Sequence, residues 1–232
     1  MKILLYTDSR GNNVRGEDHY AHYPAELSRM HDVEAHLCPH KWTTIPDFLD
    51  LWERRRGEGF DAVILHAGVV DAAPRPQRSA LGELYPLKKP LLDRLFGESA
   101  MYSHLRSPLG TTYEGDETVN LYSWDMADRA ILPRLAAIPN LIYIGGNRLI
   151  PGWRGTYWRD RPENVRLLEP YLERFAARLP RSLCFMHWSE DEVKRRTFDA
   201  VHLSAEGSRL LLDGLRPLLE DIQQTQAHRT AA

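Results

Sequence analysis

The sequence predicts an α/β protein in which a five-stranded parallel sheet is covered by helices on both faces. Three observations predict it: five short apolar runs rich in branched and aromatic residues, helix-period segments between them, and turn-rich polar segments directly after several of the runs.

The runs are Ile3–Thr7, Val33–Cys38, Ala62–His66, Leu141–Ile144 and Leu183–His187. Their apolar character is continuous rather than alternating, as expected of strands buried on both faces. Tyr23–Met30 and Ile45–Arg56 flank the second run and read as helices. Trp124–Ile138 precedes the fourth, with Met126, Ala130, Ile131 and Leu135 at helical spacing. Asn164–Leu179 places Val165, Leu168, Leu172, Phe175 and Leu179 on one face. The last helix, Ala205–Ile222, carries Leu210, Leu211, Leu215, Leu218 and Leu219, with Ser204 placed to cap its start. Strands alternating with helices give a doubly wound sheet.

A chain of 232 residues is long enough for one substantial core, so residues 1–222 are expected to form a single domain. Ala72–Asp116 reads as an insertion, for which a lid and an arm of a homodimer fit equally. Gly145–Pro162 reads as a long loop, and residues 223–232 as a disordered tail. The formal net charge of −2 predicts no general attraction to nucleic acid or to an anionic membrane. No stretch approaches the ~20 apolar residues of a membrane span. The apolar start meets Asp8 too soon for a secretory signal core, so a cytoplasmic protein is expected. The two cysteines, Cys38 and Cys184, are too few for a disulfide scaffold and read as buried free thiols.

Open parallel sheets bind ligands beyond the carboxyl ends of their strands. That rule selects Asp8-Ser9-Arg10 after the first run, Gly68-Val69-Val70-Asp71 after the third, Gly145-Gly146-Asn147-Arg148 after the fourth, and Asp199-Ala200-Val201-His202 before the last helix. A serine hydroxyl needs a base to take its proton. His202 can be that base for Ser9, and Asp199 can orient and charge-balance the imidazole. The alternative roles are a turn cap for Ser9 and packing on the sheet for His202.

These residues resemble the SGNH (GDSL-like) hydrolase family. Thr7-Asp8-Ser9-Arg10-Gly11 is similar to its first block and Asp199-Ala200-Val201-His202 to its last, at an interval that spans essentially the whole chain. The resemblance implies a flavodoxin-like three-layer α/β/α fold with a five-stranded parallel sheet. It also implies ester hydrolysis through an acyl-serine. The oxyanion hole would be built from the serine N–H, a glycine N–H of the second block and an asparagine of the third. The sequence departs from that pattern twice: Val70 stands where the third-block asparagine belongs, and Cys38-Pro39-His40-Lys41-Trp42 contains no glycine. Losing one such donor costs roughly 10²–10³ in rate. Backbone N–H groups, the Asn147 amide, Arg75 and Arg148 are the candidate replacements. Gly68 and Asp71 belong to the same loop, with Asp71 expected to brace it.

Other candidates are weaker in pattern. His19, His22, His31, His36 and His40 match no zinc spacing, and Asp8 has no second carboxylate at ligand spacing. Neither metal nor cofactor is expected. Trp153, Tyr157 and Trp158, interleaved with Arg154, Arg159 and Arg161, suit stacking on a sugar or a base, or packing of a loop. The expected activity is a serine esterase acting on a small acylated polar molecule, an O-acetylated carbohydrate among the candidates. The alternatives are acyl transfer from a carrier such as acyl-CoA, and a non-catalytic binding protein.

Overall fold

The structure, a computed structural model, describes residues 1–13, 22–97, 111–157 and 163–231. Five parallel strands form the central sheet: β1 (Lys2–Thr7), β2 (Asp32–Leu37), β3 (Ala62–His66), β7 (Leu141–Asn147) and β8 (Ser182–Phe185). Their spatial order is β2-β1-β3-β7-β8. Renumbered among themselves the five run 2-1-3-4-5, the flavodoxin-like order. The α/β architecture expected from the sequence is therefore the one observed.

Both faces of the sheet are covered. Tyr6 pairs with Leu65, which pairs with Tyr143, so these three share one face. On that face the Tyr6 ring meets Phe48 of α2 (Ile45–Arg55), and the Tyr143 ring meets Phe175 of a later helix, Glu169–Arg178. His66 and its partner Thr7 point the other way, where the His66 ring meets Tyr23 of α1 (Tyr23–Met30). Ile3, Leu4, Leu5 and Tyr6 are consequently all fully buried. Each side chain of this size stabilises the fold by roughly 1.5–3 kcal/mol relative to exposure. β2 differs from expectation. It is an edge strand with alternating exposure, because among the described residues only β1 pairs with it. Its Asp-Val-Glu-Ala-His-Leu sequence carries the polar alternation of a half-covered strand.

Local signals set the helix ends. Thr44 and Asp47 form a reciprocal capping box at the start of α2, with Pro46 in the first turn. α3 (Val69–Ala72) is a single turn after β3. The insertion holds β4 (Arg75–Pro76) and α4, a continuous helix through Gln77–Ser79, Ala80–Leu84 and Tyr85–Phe96. It also holds β5 (Thr112–Tyr113) and the start of β6 (Asp116–Val119), and the order β4-β6-β5 makes a small antiparallel sheet. α5 runs through Trp124–Met126, Ala127–Ile131 and Leu132–Ala136; α6 is Glu169–Arg178 and α7 is Glu190–Arg196.

The expected disordered tail is not observed. α8 runs from Ala205 to Ala231, so residues 223–231 are helical. Gln226 donates to the Asp61 carbonyl at 3.1 Å, and Ile222 is fully buried, which anchors the extension to the domain. Both cysteines are free, but each is half-buried rather than buried. No described helix is long and apolar enough to cross a membrane.

The strand order reverses between β1 and β3, since β1 connects onward to β2 on one side while β3 lies on the other. A crevice therefore opens above the carboxyl ends of these two strands, where the chain continues into Ser9 and into α3.

Candidate active site

Ser9 begins a tight 3₁₀ turn, Ser9–Gly11, directly after β1. Asp8 caps that turn by accepting the Arg10 N–H at 3.0 Å. Asp8 N–H in turn donates to the His66 carbonyl at 2.9 Å, fastening the turn to β3. Arg10 folds back on Asp8 with Nε on Oδ1 and Nη2 on Oδ2, both at 2.9 Å, and its Nη1 donates to the Gly145 carbonyl at 2.5 Å. Both residues are buried. Burial alone would lower the Arg10 pKa, but the Asp8 carboxylate outweighs it and raises it. A bidentate pair of this kind is geometrically stiff, so it holds the backbone on either side of Ser9.

His202 reaches Ser9 from the opposite end of the chain. Its Nε2 lies 2.9 Å from Ser9 Oγ, and its Nδ1 lies 2.8 Å from Asp199 Oδ2. The other carboxylate oxygen, Oδ1, accepts the backbone N–H groups of Val201 at 3.0 Å and His202 at 2.8 Å. Asp199 thus shapes its own turn while holding the imidazole. Ala200 takes a left-handed conformation, φ +67°, which lets three residues carry the chain from acid to base. This is the arrangement of a nucleophile, a base and an orienting acid.

The pair faces a cleft of about 330 Å³, lined by Ser9 and His202, by Val69, Val70 and Arg75, and by aromatic walls from Trp42, Tyr113 and Tyr157. A larger surface groove is bounded by Asp50, Arg54, Arg94 and Arg134, of which Arg54 and Arg94 pair with Asp50 and Arg134 donates to the Leu95 carbonyl. It contains no such triad.

Four of the candidate residues take other places than the cleft wall. Asn147 is not available as an oxyanion donor: its amide nitrogen donates to the Arg148 and Ala200 carbonyls, each at 2.9 Å. Both amide hydrogens are therefore engaged, and the bond to Ala200 braces the histidine turn. Arg148 contributes its carbonyl to that bond and does not line the cleft. Gly68 is buried at the head of α3 with φ +120°, a conformation that L side chains rarely adopt; a Cβ there would meet Tyr143 Oη and Leu172 at 3.2 Å. Asp71 lies fully buried behind the cleft, accepting Ile45 N–H at 3.0 Å, so it ties α3 to the start of α2. Burial, only partly offset by that N–H, pushes its carboxyl up to about 7. Arg75 is the one of the five non-triad candidates that lines the cleft.

No family model matches the chain, and no curated protein matches it. Among solved structures, a lipase/acylhydrolase from Enterococcus faecalis is similar in fold, at 15% identity and a TM-score of 0.49 over 96% of each chain.

Two buried histidines, His22 and His66, lie near the triad; the sequence names His22 only within a loose cluster and gives neither a role. His66 Nδ1 pairs with Tyr23 Oη at 2.8 Å, and burial followed by the Arg10 charge drives its pKa well down. His22 is pushed down to about 4, by burial first and then by His202, against the Gly11 carbonyl that favours its charged form. Arg10 was missed as well, although the Asp8-Ser9-Arg10 run places an opposite charge two residues from Asp8. Trp153, Arg154 and Tyr157 belong to the described loop, of which Tyr157 lines the cleft; Trp158, Arg159 and Arg161 lie outside the described residues, as does His19. Among the described residues no group of histidine, cysteine and carboxylate side chains is placed to hold a metal.

Proposed function

We propose that the protein is a serine ester hydrolase that works through an acyl-Ser9 intermediate. The observation that carries this reading is the continuous chain from Ser9 Oγ through His202 to Asp199, at 2.9 and 2.8 Å, opening on a cleft.

In the first half-reaction His202 Nε2 takes the Ser9 proton as Oγ attacks the acyl carbonyl. The tetrahedral intermediate collapses when His202 returns that proton to the leaving alcohol. In the second half, water attacks the acyl carbon, His202 accepts the water proton, and Ser9 leaves with it as the carboxylic acid departs. Asp199 stabilises the imidazolium that forms in each half and keeps Nδ1 as the protonated nitrogen.

The oxyanion must be met without the asparagine whose place Val70 takes. Ser9 N–H is retained, and the N–H groups of Val69 and Val70 are the nearest chemical replacements for the rest. They are the first N–H groups of their turns and lack an intrahelical acceptor by position, and all three residues line the cleft. A cleft of about 330 Å³ lies at the small end of ligand sites, which suits a short acyl group on a small polar alcohol. Trp42, Tyr113 and Tyr157 supply flat faces of the kind that stack on sugar rings, which supports an O-acetylated carbohydrate as substrate.

Hydrolysis of 4-nitrophenyl acetate and of acetylated monosaccharides by the protein and by Ser9→Ala tests the reading. The expected result is turnover that Ser9→Ala lowers by roughly 10³-fold or more. Equal rates for the two proteins on every ester would end it.

A further inference from the structure

Arg75 is placed unusually for a residue of the insertion. It lines the same cleft as Ser9 and His202. Its guanidinium lies over the Trp42 ring, 5.0 Å from the centroid, so one face is packed and the plane is fixed. Nη1 donates to the Val70 carbonyl at 2.6 Å and to the Ala73 carbonyl at 3.0 Å, which uses both of its hydrogens. Nε and Nη2 have no acceptor among the described residues, and neither is a sealed interior atom. Burial lowers the Arg75 pKa to about 10, so the group remains charged at neutral pH.

Among the described residues no carboxylate pairs with it. Asp71 is the carboxyl whose field acts on Arg75, but it is fully buried behind α3 and accepts from Ile45 N–H. Glu114, the acid of the cleft wall, lies 3.9 Å from the Arg78 guanidinium. A guanidinium held half out of water against two carbonyls and a ring is costly to maintain without an anion. The side of the fork left over, Nε with Nη2, is one that takes two oxygens of a carboxylate or phosphate at once.

We infer that Arg75 recognises a negatively charged group on the substrate, so that the ester is carried by an anionic sugar such as a uronic acid or a sugar phosphate. The inference rests on the proposed hydrolysis for the position of the ester, and on the Arg75 surroundings for the charge. Arg75 then contributes to substrate affinity, while the oxyanion is left to the backbone N–H groups.

Binding and turnover separate these claims. Calorimetric titration of Ser9→Ala protein with glucuronate, glucose 6-phosphate and methyl glucoside reads the charge preference without catalysis. The expected result is saturable binding of one or both anions, weakened about tenfold or more by adding Arg75→Gln, with methyl glucoside unaffected. The anion that binds distinguishes carboxylate from phosphate. In turnover, Arg75→Gln is expected to lower kcat/KM for acetylated glucuronate about tenfold or more beyond any loss it causes on acetylated methyl glucoside. Equal binding of charged and neutral sugars, or Arg75-independent binding, overturns the inference. So does an equal fall of kcat/KM on charged and neutral esters, which would leave Arg75 a brace of the α3 turn and not a reader of charge. If no ester is turned over at all, the titration still decides the Arg75 claim, and only the hydrolysis reading fails.

Discussion

The Asn147 side-chain amide donates to the Ala200 carbonyl at 2.9 Å and so ties the end of β7 to the turn that carries Asp199 and His202. The bond predicts how its loss is felt. Asn147→Ala should cost about 1–3 kcal/mol, because it strands a buried carbonyl. Activity should fall only as far as the histidine turn loosens. Thermal unfolding and kcat measured together check this. An oxyanion donor would instead lose roughly 10²–10³ in kcat with little change in Tm.

The Asp8–Arg10 pair supports Ser9 from below. Arg10→Met should destabilise the protein by about 3–5 kcal/mol, since it leaves Asp8 buried without its partner. Adding Asp8→Asn should recover part of that loss, because the stranded charge is removed. Urea unfolding of the two single variants and the double variant gives the coupling energy, and strictly additive losses would refute the pairing.

Asp71 makes stability depend on pH with a definite sign. Its folded pKa, about 7, lies above the ordinary carboxyl value of 3.8. The native state therefore holds this proton where the unfolded chain has released it. The stabilisation is complete below about 3.8 and is lost as pH rises through about 7. Asparagine cannot ionise, so the Tm of Asp71→Asn relative to the parent should climb by several degrees between pH 4 and pH 8. A flat or falling difference would show that Asp71 is ionised throughout.

Gly155 approaches the acid from the outside. A Cβ there would lie 2.0 Å from the Phe198 carbonyl oxygen and 3.0 Å from Asp199 Cα, at φ +53°. Gly155→Ala should displace the Phe198–Asp199 backbone and lower kcat. Gly152 has φ +72° and open space around it, so Gly152→Ala carries the conformational strain without the collision. Comparable kcat for the two variants would argue against a supporting role for the 155 turn.

The sheet was legible in the sequence because β1, β3 and β7 are buried on both faces and read as unbroken apolar runs. β2 was placed correctly along the chain, but its exposure was not, since edge position depends on strand order rather than on local pattern. The helical end of α8 was missed because Gln-Gln-Thr-Gln lacks an apolar stripe, and its anchor is the distant Asp61 carbonyl. At the site, Ser9, Asp199 and His202 could be found from a strand end and a turn spacing. The destination of the Asn147 amide could not, because its acceptor at Ala200 is 53 residues away. Arg75 was found as a cation, yet its support on Trp42 comes from a separate loop.

The account depends most on Ser9 being activated by His202. Intact-mass measurement after exposure to a fluorophosphonate reads that directly. The predicted result is one adduct per chain, mapped to Ser9, absent in Ser9→Ala and formed far more slowly in His202→Ala. An unmodified protein, or a Ser9 adduct that forms as fast without His202, would contradict it.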